Sequence, residues 1–223
     1  MRTLVVAPHP DDEILGCGGT LLRRKADRRE IAWLIVTGMS PNEGWSAGRV
    51  RSRDAEIDRV AAIVGFDRVY NLRLPTAKLD TVPMADIVSR FSDVFNDFKP
   101  SEVFVPHRGD AHSDHRVSFD ATTACTKWFR HPFVRRVLAY ETPSETGFGL
   151  DQSAGFQPNV FVDVSTFLDQ KIEALKVYQS ELGAFPFPRS IEAVRALAAT
   201  RGASAGCAAA EAFCLLRELE VGQ

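Results

Sequence analysis

With 223 residues, 45% apolar and 25% charged, the chain can build a sizeable core, and it stays below the roughly 250 residues at which one core commonly splits into two. A formal net charge of −2 excludes a polyanion-binding surface, so no nucleic-acid partner is expected. Four scattered cysteines without CxxC spacing exclude a zinc ribbon and a disulfide scaffold, and are expected as reduced thiols. The chain opens with a short strand in place of a signal segment, and no apolar stretch approaches the roughly 20 residues of a membrane helix. A cytoplasmic protein without a membrane span is the expectation.

In chain order, apolar strand-like runs alternate with helix-period segments. Thr3 to Ala7 reads as a strand, Leu15 to Ala26 as a helix, and Ile31 to Thr37 as a second strand. Arg49 to Val64 is a helix with Ile57, Val60, Ala61 and Val64 on one face and Gly65 as its stop. Strand Arg68 to Asn71, helix Val82 to Phe98 closed by Pro100, and strand Glu102 to Pro106 follow. A helix starting at His115 should turn Val117, Ala121, Ala124 and Trp128 inward, and Val134 to Tyr140 is the next strand. Glu141 to Pro158, rich in Gly, Ser, Thr and Pro, is long for a loop and suits a lid or rim. Val160 to Val164 is a strand, Phe167 to Tyr178 a helix, Ser190 caps a helix to about Arg201, and Phe213 to Leu219 is a closing strand. The pattern predicts one α/β domain over residues 1–223: a Rossmann-like three-layer sandwich with a mostly parallel central sheet and a C-terminal elaboration forming part of the substrate rim.

Two segments invite a different reading. Gly16-Cys17-Gly18-Gly19 follows a strand like a dinucleotide loop, but Leu21 stands at the sixth position and the carboxylates ahead would repel a pyrophosphate, so close packing of helix on sheet explains it better. The basic residues Arg23-Arg24-Lys25 and Arg28-Arg29 end a helix and read as a solvated face.

The chemistry concentrates in two clusters that each follow a strand, where open α/β sheets place their ligands. Pro8-His9-Pro10-Asp11-Asp12-Glu13 packs an imidazole and three carboxylates into one turn. His9 and Asp12, three apart, can aim at a shared point while Asp11 points elsewhere. The second cluster, His107 to His115, contains His112 and His115, also three apart. His115, at a helix start, is the better third ligand, and one carboxylate with two imidazoles leaves open positions on zinc or ferrous iron, as a catalytic site requires. Asp114 can orient a histidine, and His112 is then the natural electrophilic or acid group. His131, in Arg130-His131-Pro132 at a helix end that favours cations, reads as structural.

At these residues the chain resembles the PIG-L/LmbE-like deacetylase superfamily, marked by an [AP]HPDDE segment and a later HxDH segment, here Pro8 to Glu13 and His112-Ser113-Asp114-His115. Val36-Thr37-Gly38, Arg53 with Glu56, and Ala210-Glu211-Ala212-Phe213 extend the likeness over nearly the whole chain. The resemblance implies zinc held by His9, Asp12 and His115, with ferrous iron as the other candidate, Asp11 as general base, and His112 polarising the carbonyl with support from Asp114. It also implies an N-acetylated aminosugar, sugar nucleotide or glycoconjugate as substrate, and an Arg53 that contacts sugar hydroxyls. From the residues themselves, Glu43 and Trp45 could line the sugar site and Arg189 could bind an anionic group. Another metallohydrolase, a phosphoesterase or amidase, and a non-catalytic sugar-binding module remain as alternatives, and a homo-oligomer stays open.

Overall fold

The computed structural model describes residues 1–151, 153 and 155–220. Seven strands form one sheet in the order β3-β2-β1-β4-β5-β7-β6: β1 Arg2–Ala7, β2 Glu30–Gly38, β3 Arg68–Pro75, β4 Glu102–Pro106, β5 Arg136–Tyr140, β6 Val160–Asp163 and β7 Ala210–Glu218. The first five in chain order are parallel, and β7 runs antiparallel to both β5 and β6. The helices are α1 Asp12–Ala26, α2 Ala47–Val64, α3 Met84–Phe98, α4 Ser113–Ala124, α5 Leu168–Leu175 and α6 Ile191–Ala205.

Because side chains alternate along a strand, β1 sends Val5 and Ala7 into one apolar layer and Leu4 and Val6 into the other. Helices α1, α2, α5 and α6 cover the first layer, and α3 and α4 cover the second. Burial on both faces explains why β1, β2 and β4 read as continuous apolar runs instead of alternating ones. From β1 the chain winds outward through β2 to β3, then returns to place β4 on the other side of β1. This reversal opens a crevice at the carboxyl ends of β1 and β4, and the register Thr3↔Glu102 through Val5↔Phe104 sets the two motif-bearing turns side by side there.

The glycine run in α1 has the packing role expected of it. A Cβ on Gly16 would sit 2.2 Å from the Tyr140 ring, and one on Gly19 would sit 2.8 Å from Val164. The helix is also broken at Cys17 (φ −146°, ψ 19°), which frees backbone groups in a buried place. Glu211 accepts the N–H groups of Gly19 and Thr20 at 2.8 and 2.6 Å, while the Lys171 ammonium donates to Leu15 O at 3.0 Å and to Glu211 at 2.7 Å. Glu211 on β7 is thereby the partner of a broken helix.

Several expectations change. Trp128 is 68% exposed, because α4 stops at Ala124 and a helical spacing counted from Val117 no longer applies beyond that point. Arg24 belongs to no solvated face: it is buried and makes a two-pronged ion pair with the fully buried Glu102 at the start of β4. His131 sits in a turn, not at a helix end, packed between Phe95 and Phe133 with Nε2 3.2 Å from Ser92 Oγ; burial and the Arg130 charge push its pKa down, so it is held neutral. Strand β3 continues through Pro75 and β7 begins at Ala210, three residues before the predicted Phe213, since pairing with neighbours extends both. Within the predicted lid, Thr146–Phe148 forms a 3-10 turn, while Gln152 and Ala154 lie outside the described residues.

Candidate active site

The carboxyl ends of β1 to β5 frame a cavity of 370 Å³. His9, Pro10, Asp11 and Asp12 form one wall, Thr37 to Met39 another, and His112, His115, Ser144 and Glu145 a third. Thr37 fixes the turn after β1 by donating both its N–H (3.0 Å) and its hydroxyl (2.8 Å) to Pro8 O. The next residues are held in an unusual shape: Asp11 has φ 135° and ψ −28°. A non-glycine residue there costs roughly 1–3 kcal/mol, which the surroundings must offset. The kink lets His9 and Asp12 face each other while the Asp11 carboxyl turns separately into the cavity.

Ligand atoms of His9, Asp12 and His115 lie within 4.8 Å of one another. Asp12 Oδ2 is 3.3 Å from His9 Nδ1 and 3.3 Å from His115 Nε2. His115 is almost wholly buried, and its Nδ1 is 2.8 Å from Oδ2 of the equally buried Asp110, whose Oδ1 accepts the Thr146 hydroxyl at 2.7 Å. That contact aims Nε2 at the cluster. The electrostatics point the same way. Burial opposes charge on His9, yet contacts with Asp114 and Asp12 push its pKa up to about 9; burial likewise opposes charge on His115, and Asp12 and Asp110 push it up to about 10. Asp12 is held far below the carboxylate range: burial would raise it, but the two histidines outweigh that. The cluster is an anionic pocket that binds protons in the absence of a cation, and its donor set fits a divalent metal with positions left open. A second group, His9, His112 and Asp114, shares His9 with the first, so the two are not independent sites.

His112 caps α4: its Nδ1 accepts the backbone N–H of Asp114 at 3.1 Å. With Nδ1 an acceptor, the ring proton of the neutral imidazole resides on Nε2. Burial and the His9 charge push the His112 pKa down, which favours this neutral donor form. The Asp114 carboxylate does not orient His112 as expected. Its Oδ2 lies 3.1 Å from His9 Nε2, and the carboxylate accepts the N–H groups of Ala77 (2.7 Å) and Leu79 (3.1 Å). Asp114 therefore meets His112 through its backbone and His9 through its side chain.

At the rim, Arg53 lines the cavity but is only 7% exposed. Its guanidinium is engaged by Glu56 (3.3 Å), Glu181, Ser180 (3.3 Å) and Pro10 O (3.4 Å) and lies 5.6 Å from the Tyr178 ring centroid. Arg189 reaches the cavity, where Nη1 is 3.5 Å from Asp11 Oδ2 and Nη2 is 3.6 Å from Glu181 Oε2. Trp45 lines the cavity beneath the Arg49 guanidinium (5.0 Å), whereas Glu43, in the 3-10 turn Pro41–Glu43, is not among the lining residues. His107 turns instead toward Phe156. Sequence reasoning missed Asp110, although it lies inside the second cluster five residues before His115, a spacing that a loop does not announce. It also missed Glu181, whose carboxylate bridges Arg53 and Arg189 from a distant segment.

Residues 4–126, which include both motifs, match the family described as PIG-L, GlcNAc-PI de-N-acetylase. The chain belongs to the PIG-L family. Among its relatives, the uncharacterized deacetylase YaiS of Escherichia coli K12 is 27% identical over 184 residues, covering 79% of this chain and 90% of the relative. Diacetylchitobiose deacetylase of Thermococcus kodakarensis is 25% identical over 195 residues, covering 81% of this chain and 70% of that protein. The crystal structure of a conserved protein from Thermus thermophilus superposes with a TM-score of 0.80 and 29% identity, covering 99% of this chain and 96% of that one. The PIG-L chain described here thus shares its seven-stranded α/β architecture with a solved structure across almost its full length.

Proposed function

We propose that this PIG-L family member is a metal-dependent hydrolase that removes the acetyl group from an N-acetylated aminosugar or aminosugar conjugate. The observation that carries the reading is the convergence of Asp11, His112 and the His9–Asp12–His115 group on one cavity. Zinc is the proposed ion, with ferrous iron as the other candidate. His9, Asp12 and His115 would hold the divalent cation, which would supply Lewis acidity toward water and an acetamide carbonyl at this point of the cavity. Asp11 accepts the proton of the attacking water. Burial and the neighbouring Asp12 charge push the Asp11 pKa up to about 7, against the pull of Arg189 and His9, which suits a base near neutral pH. His112 Nε2–H donates to the oxyanion that forms at the carbonyl oxygen, and protonated Asp11 returns its proton to the departing amine.

The cavity volume lies within the range of small-ligand sites, and Trp45, Asn71, Arg49 and Arg73 supply an apolar face and donors suited to sugar hydroxyls. Arg189 is proposed as a substrate contact that also steadies Asp11. For Arg53, the geometry favours holding the site over the hydroxyl contact expected from the sequence, and Glu43 is proposed only as an outer contact for a larger substrate. The family's diacetylchitobiose deacetylase supports an amide-linked acetyl substrate. A two-metal phosphoesterase finds little support, since the two candidate groups compete for His9. A single domain spanning residues 1–223 is supported by Arg189 reaching Asp11 of the first motif and Glu181 reaching Arg53. Among the described residues no helix is long and apolar enough to cross a membrane, and the cysteines are free, in keeping with a cytoplasmic location.

The test is acetate release across N-acetyl sugars, sugar nucleotides and glycoconjugates with the metal-loaded protein; release from none of them would overturn the reading. With an accepted substrate, His112→Ala is expected to keep its metal and lower kcat by about a hundredfold to a thousandfold, with KM little changed, because its partner exists only after water has attacked. A defect confined to KM would remove His112 from that role.

A further inference from the structure

The Pro10–Asp11 peptide unit is gripped at both of its polar ends. The Pro10 carbonyl accepts Arg53 Nη1 at 3.4 Å, and the Asp11 N–H donates to Glu13 Oε2 at 3.0 Å. The orientation of this plane sets the φ of Asp11, which lies at 135°, where L side chains are rarely found. Both grips lead to one side chain. Glu13 is fully buried, and its second oxygen, Oε1, accepts the Tyr178 hydroxyl at 2.9 Å. The ring of Tyr178, also fully buried, lies under the Arg53 guanidinium at 5.6 Å. Neither Glu13 nor Tyr178 is among the residues lining the cavity, so neither is placed to touch a substrate. Tyr178 lies three residues past the end of α5 and beyond the residues, 4–126, that match the family.

We propose that Tyr178 and Glu13 are positioning residues: they lock the Pro10–Asp11 peptide in its strained orientation and so aim the Asp11 carboxyl. The inference rests on Asp11 being the base. The buried Asp11 N–H needs an acceptor, and a side-chain oxygen fixed from its far side holds one in place. Without the Tyr178 hydroxyl, Glu13 loses the partner of Oε1 and can rotate, and the plane is free to relax toward a negative φ. Such relaxation swings the Asp11 carboxyl, and a misplacement near 1 Å costs about a hundredfold in rate. The grip on the motif therefore comes from the C-terminal third of the chain.

The experiment compares Tyr178→Phe, Glu13→Gln and Glu13→Leu with Phe91→Leu, a control that loosens the apolar layer on the opposite face of the sheet. Hydrogen exchange of the Asp11 amide in metal-free protein is expected to speed up about tenfold in Tyr178→Phe and further in Glu13→Leu. Glu13→Gln keeps an oxygen for that N–H and should stay near wild type. In metal-loaded protein, kcat for acetate release should fall about tenfold to a hundredfold in Tyr178→Phe, with KM and metal content unchanged. Phe91→Leu should lose stability without either change. Asp11 exchange and kcat in Tyr178→Phe that match Phe91→Leu would overturn the proposal, as would a Glu13→Gln defect equal to Glu13→Leu. If Glu13→Leu does not fold, Tyr178→Phe decides alone. Should the wild type release no acetate, the deacetylase reading fails while the exchange measurement still decides the positioning role.

Discussion

Asp11→Asn is expected to keep its metal and lose about a hundredfold to ten-thousandfold of its turnover, the range that a well-placed general base supplies. Asparagine keeps the shape of the side chain and an oxygen for Arg189 Nη1, 3.5 Å away, but it cannot take a proton from water at neutral pH. Metal retention follows because Asp11 lies outside the His9, Asp12 and His115 group. The pH dependence carries the same assignment. The wild-type carboxyl acts only when ionised, so activity should fall as pH drops through the Asp11 titration, near 7 in the metal-free protein and lower once a cation adds its positive charge. The limb assigned to this group should vanish in the variant. Turnover equal to wild type at saturating metal and substrate would take the base role away from Asp11.

Removing the buried imidazole should have an even more drastic effect. His115→Ala is expected to drop the metal content from about one per chain to near zero and the activity to background, as measured by elemental analysis and acetate release. The variant also strands Asp110, fully buried and 2.8 Å from His115 Nδ1, and breaking a buried pair in this way costs about 3–5 kcal/mol. Its melting temperature should therefore lie below that of chelated wild type, and added metal should not restore it. Asp110→Asn, which leaves the imidazole in place but weakens its orientation, should lower metal affinity by about tenfold to a hundredfold. Full metal retention in His115→Ala would refute the ligand set.

Local information reached far in this chain. Apolar runs marked β1, β2 and β4 most plainly, because a strand buried on both faces leaves few polar positions to blur the signal. Both motif turns were legible for a related reason: His9, Asp11 and Asp12 are neighbours in sequence, as are His112, Asp114 and His115, so each half of the site is a local feature. Even the glycines of α1 disclosed close packing, though not that Tyr140 and Val164 are the surfaces approached.

What the sequence alone determined is therefore the element order, the α/β class and the chemistry-bearing residues of the two turns. The tertiary structure decided what each of those residues touches, since a hydrogen bond between distant segments leaves no periodic trace. Asp114 was expected to serve His112, but the extended β3 brings a chain segment in which Ala77 and Leu79 claim its carboxylate, turning it toward His9. Arg53 was expected to contact sugar hydroxyls on the strength of the family resemblance, whereas the fold closes Glu181 and Tyr178 over it and makes it a buried tie. Arg24 looked like solvated charge until β4 placed Glu102 beneath it. In each case the deciding partner lies tens of residues away, and only the stacking of helices on the sheet brings the two together.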